Sequence, residues 1–204
     1  MKAMQKEALL KLIAETAYNA GYGAKKHFAT YDIIEKIPGW VAFLSAVAAI
    51  LALFTPAFEA KWVSATFIII SVGTGNILLY DREKSKYAEV GSALTEKFHE
   101  LRVLYHEVKP MPDGTDLPDH AERHAAIQAN VLKTNVVKQI FLSDWYAHYK
   151  FFWQQQTGWL DEQLKFTLFR DKLPLSFTVA FILAFFGALF WLASGQAKLF
   201  LCQV

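Results

Sequence analysis

The sequence predicts an all-α integral membrane protein with three transmembrane helices and a cytoplasmic helical bundle. Three observations predict it. Residues 39–58 carry no charge over 20 positions, residues 62–80 none over 19, and residues 173–196 none over 24. A helix needs about 20 apolar residues to cross a hydrocarbon core of ~30 Å, whereas an amphipathic helix of a soluble domain shows water a charged face at every turn. No alternation of period two lasts long enough to read as a strand, and the rest of the chain carries apolar stripes at helical spacing.

Composition agrees. Of 204 residues, 54% are hydrophobic and 20% charged, against roughly 25% charged in an average soluble domain. High hydrophobicity and a net charge of +2 exclude intrinsic disorder, and 10 Gly with 6 Pro exclude collagen-like classes. The single Cys202 cannot close an intramolecular disulfide or build a cysteine zinc cluster.

Residues 1–38 read as a cytoplasmic N-terminal amphipathic helix. Leu9, Leu12, Ile13, Ala17, Ala20, Ala24, Phe28 and Tyr31 form its stripe, and Ala14, Gly21 and Gly23 thin its middle so that a neighbour can approach closely. Ile37-Pro38-Gly39 predicts a break, with Pro38 in the first turn of a new helix. Residues 39–80 form a transmembrane hairpin of two spans, joined by Glu59-Ala60-Lys61. Trp40, Trp62, Tyr80 and Trp191 lie near span ends, where amphipathic rings favour the interface. The first apolar run starts at residue 39 and is too long for a signal-peptide core, so it is expected to be an uncleaved anchor.

Residues 81–172 read as a cytoplasmic helical hairpin. Tyr87, Val90, Leu94, Leu101, Leu104 and Val108 fall on a near-heptad that Lys97 interrupts. Residues 109–114 (KPMPDG) break it. A second helix is expected from about Asp116 to Gln156, through Ile127, Val131, Val136, Ile140, Phe141, Trp145 and Tyr149. Thr157-Gly158 interrupts it, and a short amphipathic stretch leads to residues 173–196, read as a third transmembrane helix with a re-entrant or interfacial helix as the alternative. Residues 197–204 are a short tail. Such modest stripes make a thin core for one chain and are expected to seek partners between subunits.

Orientation follows the basic residues near the spans. Segment 1–38 holds six, the turn holds Lys61 alone, and 81–172 holds 13 among 14 acids. Both long segments are therefore expected in the cytoplasm, with the tail, carrying Lys198, on the other side of the membrane.

Chemical motifs are sparse. No Gly-x-Gly-x-x-Gly, Gly-Lys-Ser/Thr or Gly-x-Ser-x-Gly occurs, so no enzyme and no cofactor is expected. His120 and His124 share a helix face, but their order differs from that of zinc proteases, and solvated surface histidines are the simpler reading. Lys25, Lys26 and His27 read either as a topology signal that contacts anionic lipid or as a phosphate site. Trp145 and Lys150, with Tyr146, His148, Tyr149 and Trp153, read either as helix packing or as a platform that stacks bases and holds phosphates. On the second span Thr66, Ile69, Gly73 and Asn76 share a face. An Asn in hydrocarbon requires a partner or water, so this face reads as helix–helix hydrogen bonding or as the lining of a pore formed by Thr66, Gly73 and Asn76. No charge lies within any span, which argues against a proton pump or voltage sensor.

Residues 10–34 (LKLIAETAYNAGYGAKKHFATYDII), followed by EKIPG at 35–39 and an apolar span, resemble the start of a SLATT-domain protein. The resemblance runs through the hairpin and the long helix after it, about residues 8–155. It implies a pore-forming membrane effector of bacterial anti-phage (abortive infection) systems. It also implies a nucleotide or oligonucleotide signal, made by a nucleotidyltransferase-type partner, that switches the effector. A third span departs from the family's simplest two-span layout. The expectation is a homo-oligomeric ion channel, such as a tetramer, in contact with membrane lipid; the alternative is a non-conducting anchor that recruits a cytoplasmic partner.

Overall fold

A computed structural model describes residues 5–134 and 138–193. It is all-helical, with no strand among the described residues. In chain order the elements are α1 (Lys6–Ala52), α2 (Pro56–Glu59), α3 (Lys61–Leu78), a 3-10 turn (Asp81–Glu83), α4 (Lys84–Val108), α5 (Pro118–Lys133), α6 (Ser143–Tyr149), a π turn (Lys150–Gln154), α7 (Gly158–Leu164), a second π turn (Leu168–Lys172) and α8 (Leu175–Ala193). The residues up to Leu164 form one compact unit and those from Lys165 a second.

The first difference from expectation is at Pro38. The helix does not break there: α1 runs unbroken for 47 residues, roughly 70 Å. Proline removes one backbone donor, but Ile34 and Ala29–Thr30 before it are buried, and that packing holds the helical path. The break falls instead at Pro56. Thr55 before it is extended (φ −137°, ψ 113°), as a residue preceding proline prefers. The first apolar run is therefore a helix to Ala52, then a turn and the one-turn α2.

The core of the first unit is α1 laid along α4. On α4 the positions Tyr87, Gly91, Leu94, Phe98, Leu101, Tyr105 and Val108 are buried at strict alternating steps of four and three, joined by Leu104. Gly91 and Phe98 belong to this seam, whereas Val90 lies beside it and Lys97 lies off it, paired with Glu100 at 2.6 Å. On α1 the matching buried positions are Ile13, Ala17, Ala20, Ala24, His27 and Ile34. The thin middle of α1 lets aromatic knobs in. A Cβ on Gly21 would lie 2.8 Å from the Phe98 ring and 2.9 Å from Phe151, and one on Gly91 would lie 3.0 Å from Phe28. The stripes expected to seek other subunits are thus satisfied within one chain.

The long second helix expected over 116–156 is also interrupted. α5 stops at Lys133, and α6 starts at Ser143 after Leu142, whose φ is +69°. The interruption resets the register. Ser143, Ala147 and Phe151 are buried, while Phe141 and Tyr149, expected in the stripe, are exposed. Val136, Cys202 and Lys198 lie outside the described residues.

The histidines are not all solvated. His124 is buried, with its Nε2 2.9 Å from the Thr16 hydroxyl, and thereby ties α5 to α1. Burial pushes its imidazole below the ordinary value, with a hydrogen bond to the Leu12 backbone opposing. Burial lowers His148 too, with Asp144 opposing. Both rings are therefore held neutral. The unfolded chain takes up these protons first, so stability is full above the unfolded value of about 6.5 and declines as pH falls below it. The melting temperature is expected to drop between about pH 7 and pH 5. In the His124→Gln, His148→Gln double variant that drop should be shallower; an unchanged slope in thermal melts would assign the acid sensitivity elsewhere.

The apolar hairpin contrasts with this body. On α3 only Val63 is buried, and Trp62, Ile68 and Ile69 are 71%, 64% and 72% exposed. A contiguous apolar surface of this kind does not stand in water. α1 and the helix that begins at Lys61 are both long and apolar enough to cross a membrane.

Candidate functional site: a polar cavity beside an apolar hairpin

A cavity of about 380 Å³ opens where α1, α4 and the segment after α6 meet. Its floor is Gly21, Ala24 and Phe98; its polar groups are Lys25, Thr95, His99, Arg102 and Gln154–Gln156. Local structure explains the placement. Lys25 follows Ala24 of the α1 seam by one residue, so it sits at the seam's edge. Thr95, His99 and Arg102 occupy successive turns of α4 beside Leu94, Phe98 and Leu101. The π turn Lys150–Gln154 widens the backbone by one residue. It seats Phe151 among Tyr18, Tyr22 and Gly21, then releases an extended Gln155 (φ −96°, ψ 144°) at the cavity.

The electrostatics of the cavity are basic. The Lys25 ammonium is held below its ordinary value, first by burial and then by the neighbouring charge of Lys150. Neither Lys25 nor Arg102 has an ion-pair partner among the described residues. Two cations thus stand at one cavity whose lining holds no carboxylate. Gln155 Oε1 is buried with no hydrogen-bond partner. An orphaned acceptor beside cations suits a ligand with both an anionic group and an N–H donor.

The residues singled out from the sequence are not gathered in one place. Lys25 lines the cavity. Lys26 is 2.8 Å from Asp144 in an ion pair that ties α1 to α6. His27 is buried, and its Nδ1 lies 2.7 Å from the Gly23 carbonyl. Lys150 pairs with Asp32 and lies 4.4 Å from the centre of the Tyr146 ring. Burial alone would raise the Asp32 carboxyl, but hydrogen bonds from Lys150 and Lys36 hold it below the usual range. Trp145 borders a separate groove with Ile33, Lys36 and Trp40. Thr95, His99, Arg102 and the glutamines escaped sequence reasoning. The run of three Gln at 154–156 and Arg102 beside the α4 stripe were the available signals.

In the hairpin, Val63, Phe67, Thr74 and Ile77 are the less exposed positions of α3 and share one side. Thr66, Gly73 and Asn76 are all exposed and lie about 60° to 140° round the helix from Val63. Thr66 Oγ1 donates to the Trp62 carbonyl at 2.8 Å, and Asn76 Nδ2 reaches the Val72 carbonyl only at 3.5 Å. The Asn76 amide is therefore poorly satisfied by its own chain.

Residues 4–181 match the family described as the SMODS and SLOG-associating 2TM effector domain, type 6. The chain is a SLATT-family protein. Its two long apolar helices fit the family's two-span description. No curated protein and no solved structure matches the chain. SLATT domains are effector domains that associate with SMODS and SLOG partners, so this hairpin and body form a membrane effector domain of conflict systems. The match ends at residue 181, inside α8.

Proposed function

We propose that this SLATT protein is a homo-oligomeric, pore-forming effector of a bacterial anti-phage (abortive infection) system. A nucleotide or oligonucleotide, made by a nucleotidyltransferase-type partner, binds the helical body and switches ion flow. The observation that carries the reading is the unbroken α1. One helix holds Lys25 at the cavity and continues into the apolar hairpin, ~40 Å further on at Ala52. A ligand that binds one arrangement of α1 and α4 better than another shifts the hairpin with it.

Chemistry supports the ligand class. Lys25 and Arg102 suit phosphates, and the free Gln155 carbonyl suits an exocyclic amine of a base. The exposed face with Thr66, Gly73 and Asn76 supplies the polar lining that several copies would bring to a common axis. In this reading α8, 19 residues without charge, is a third span. The N-terminus and the helical body lie in the cytoplasm at the inner membrane.

A second reading, a non-conducting anchor that recruits a partner, is favoured by the burial of the α1 and α4 stripes within one chain. Thr66→Leu and Asn76→Leu separate the two. Both variants should fold, because both side chains are exposed. The pore predicts at least a tenfold loss of ion flux and of toxicity in the pair, equal to about 1.4 kcal/mol on the conducting state. Unchanged toxicity would support the anchor.

A further inference from the structure

A second cavity, of about 480 Å³, has a different character and lies between the hairpin helices and the segment that precedes α6. Ile33, Ile37 and Val41 present one face of α1 to it; Ile70 and Ile77 present one face of α3; Leu142 closes the end nearest the body. Its volume is that of a small-molecule site, and its walls are mostly apolar, with Thr74 and Asn76 as polar groups of the lining. Gly73, on its border, leaves open space where a side chain would stand.

The surfaces around its mouth decide what can enter. Ile70 of the cleft wall is itself exposed, and Trp40, Phe43 and Leu79 are exposed apolar groups elsewhere on the same stretch of α1 and at the end of α3, so the medium around the hairpin is hydrocarbon rather than water. An apolar cleft open to a bilayer fills with the solvent there, which is acyl chain. At the body end the chemistry changes. Tyr80 lines the cleft, and the Lys138 ammonium lies 4.5 Å from the centre of its ring. Lys138 is exposed and has no carboxylate partner among the described residues. A tyrosine and a cation at the end of an apolar run mark headgroup depth. Phe141, 85% exposed beside the left-handed Leu142, borders the cleft at the same end and suits insertion among headgroups.

We propose that this cleft binds one acyl chain of an anionic phospholipid, with Lys138 receiving the headgroup phosphate. The inference rests on membrane placement of the hairpin and not on conduction.

The full chain in phosphatidylcholine nanodiscs, doped with a phosphatidylglycerol bearing a diazirine on its acyl chain, tests it. After irradiation and peptide mapping, the segments holding Ile33–Val41 and Ile70–Ile77 should be labelled well above those holding Phe54 and Ile68. Val41→Trp should bring cleft labelling down to that background. Lys138→Gln, at an exposed position that cannot disturb the core, should cut the preference for phosphatidylglycerol over a phosphatidylcholine probe about fivefold. Even labelling over the hairpin, a preference indifferent to Lys138→Gln, or cross-links from the cleft to a second copy would each overturn the site. Even labelling alongside intact nucleotide-dependent flux removes the lipid site and leaves the pore. No labelling of either helix removes the membrane placement, and both with it.

Discussion

Gly21→Leu is expected to destabilise the helical body by about 2–3 kcal/mol, as overpacking of a filled core does. At Gly21 even a Cβ would lie 2.8 Å from the Phe98 ring and 2.9 Å from Phe151. Both rings are held from several sides. Phe98 packs against Trp159, and Phe151 stands edge-on to Tyr18 and Tyr22. Neither can swing away cheaply, so α1 must lift off α4 and off the π turn together. Gly23→Leu serves as the comparison. Its Cβ would meet only the Leu94 side chain, at 3.3 Å, and the cost should be below about 1 kcal/mol. Thermal or denaturant unfolding of the two variants in the same detergent measures the gap. Equal midpoints would mean that the α1–α4 contact is looser than described.

Lys25→Ala with Arg102→Ala is expected to have the largest functional effect. Each removed cation costs a charged hydrogen bond of about 1.5–3 kcal/mol to a phosphate, which is ~10- to 100-fold in affinity per residue. Thermal-shift titration with nucleoside triphosphates and with linear and cyclic dinucleotides should find a stabilising ligand for the parent chain. The double variant should lose that shift. It should also fold at least as well, because an unpaired half-buried ammonium beside Lys150 is a strain on the folded state. Lys26→Ala, which breaks only the pair with Asp144, should keep the response. Loss of ligand binding in Lys26→Ala but not in the double variant would place the site on the α6 side of α1.

Much of the helical content is readable along the chain because it is local. Uncharged runs of 19 or more residues name the apolar helices, and the steps of three and four on α4 name its buried side. Gly21 and Gly91 read only as thin spots. That each receives a particular ring, Phe98 and Phe28, depends on the register between two helices, with the paired residues roughly 60 to 80 positions apart, and no local pattern encodes it. Pro38 misleads for the same reason: the proline rule is local, and packing before it overrides the rule. The π turn at 150–154 carries no signature, yet it brings Gln155 to Lys25. The candidate site therefore emerges only when three distant segments meet. His124 follows this logic as well, since its partner Thr16 lies 108 residues away.

The most direct test of the pore is ion flux. Full-length protein reconstituted into potassium-loaded liposomes is assayed with and without each nucleotide of the thermal-shift panel. The prediction is potassium efflux that changes with one of these nucleotides and that no longer responds to it in the Lys25→Ala, Arg102→Ala variant. Folded protein, inserted in the bilayer, that passes no ions in any of these conditions would contradict it.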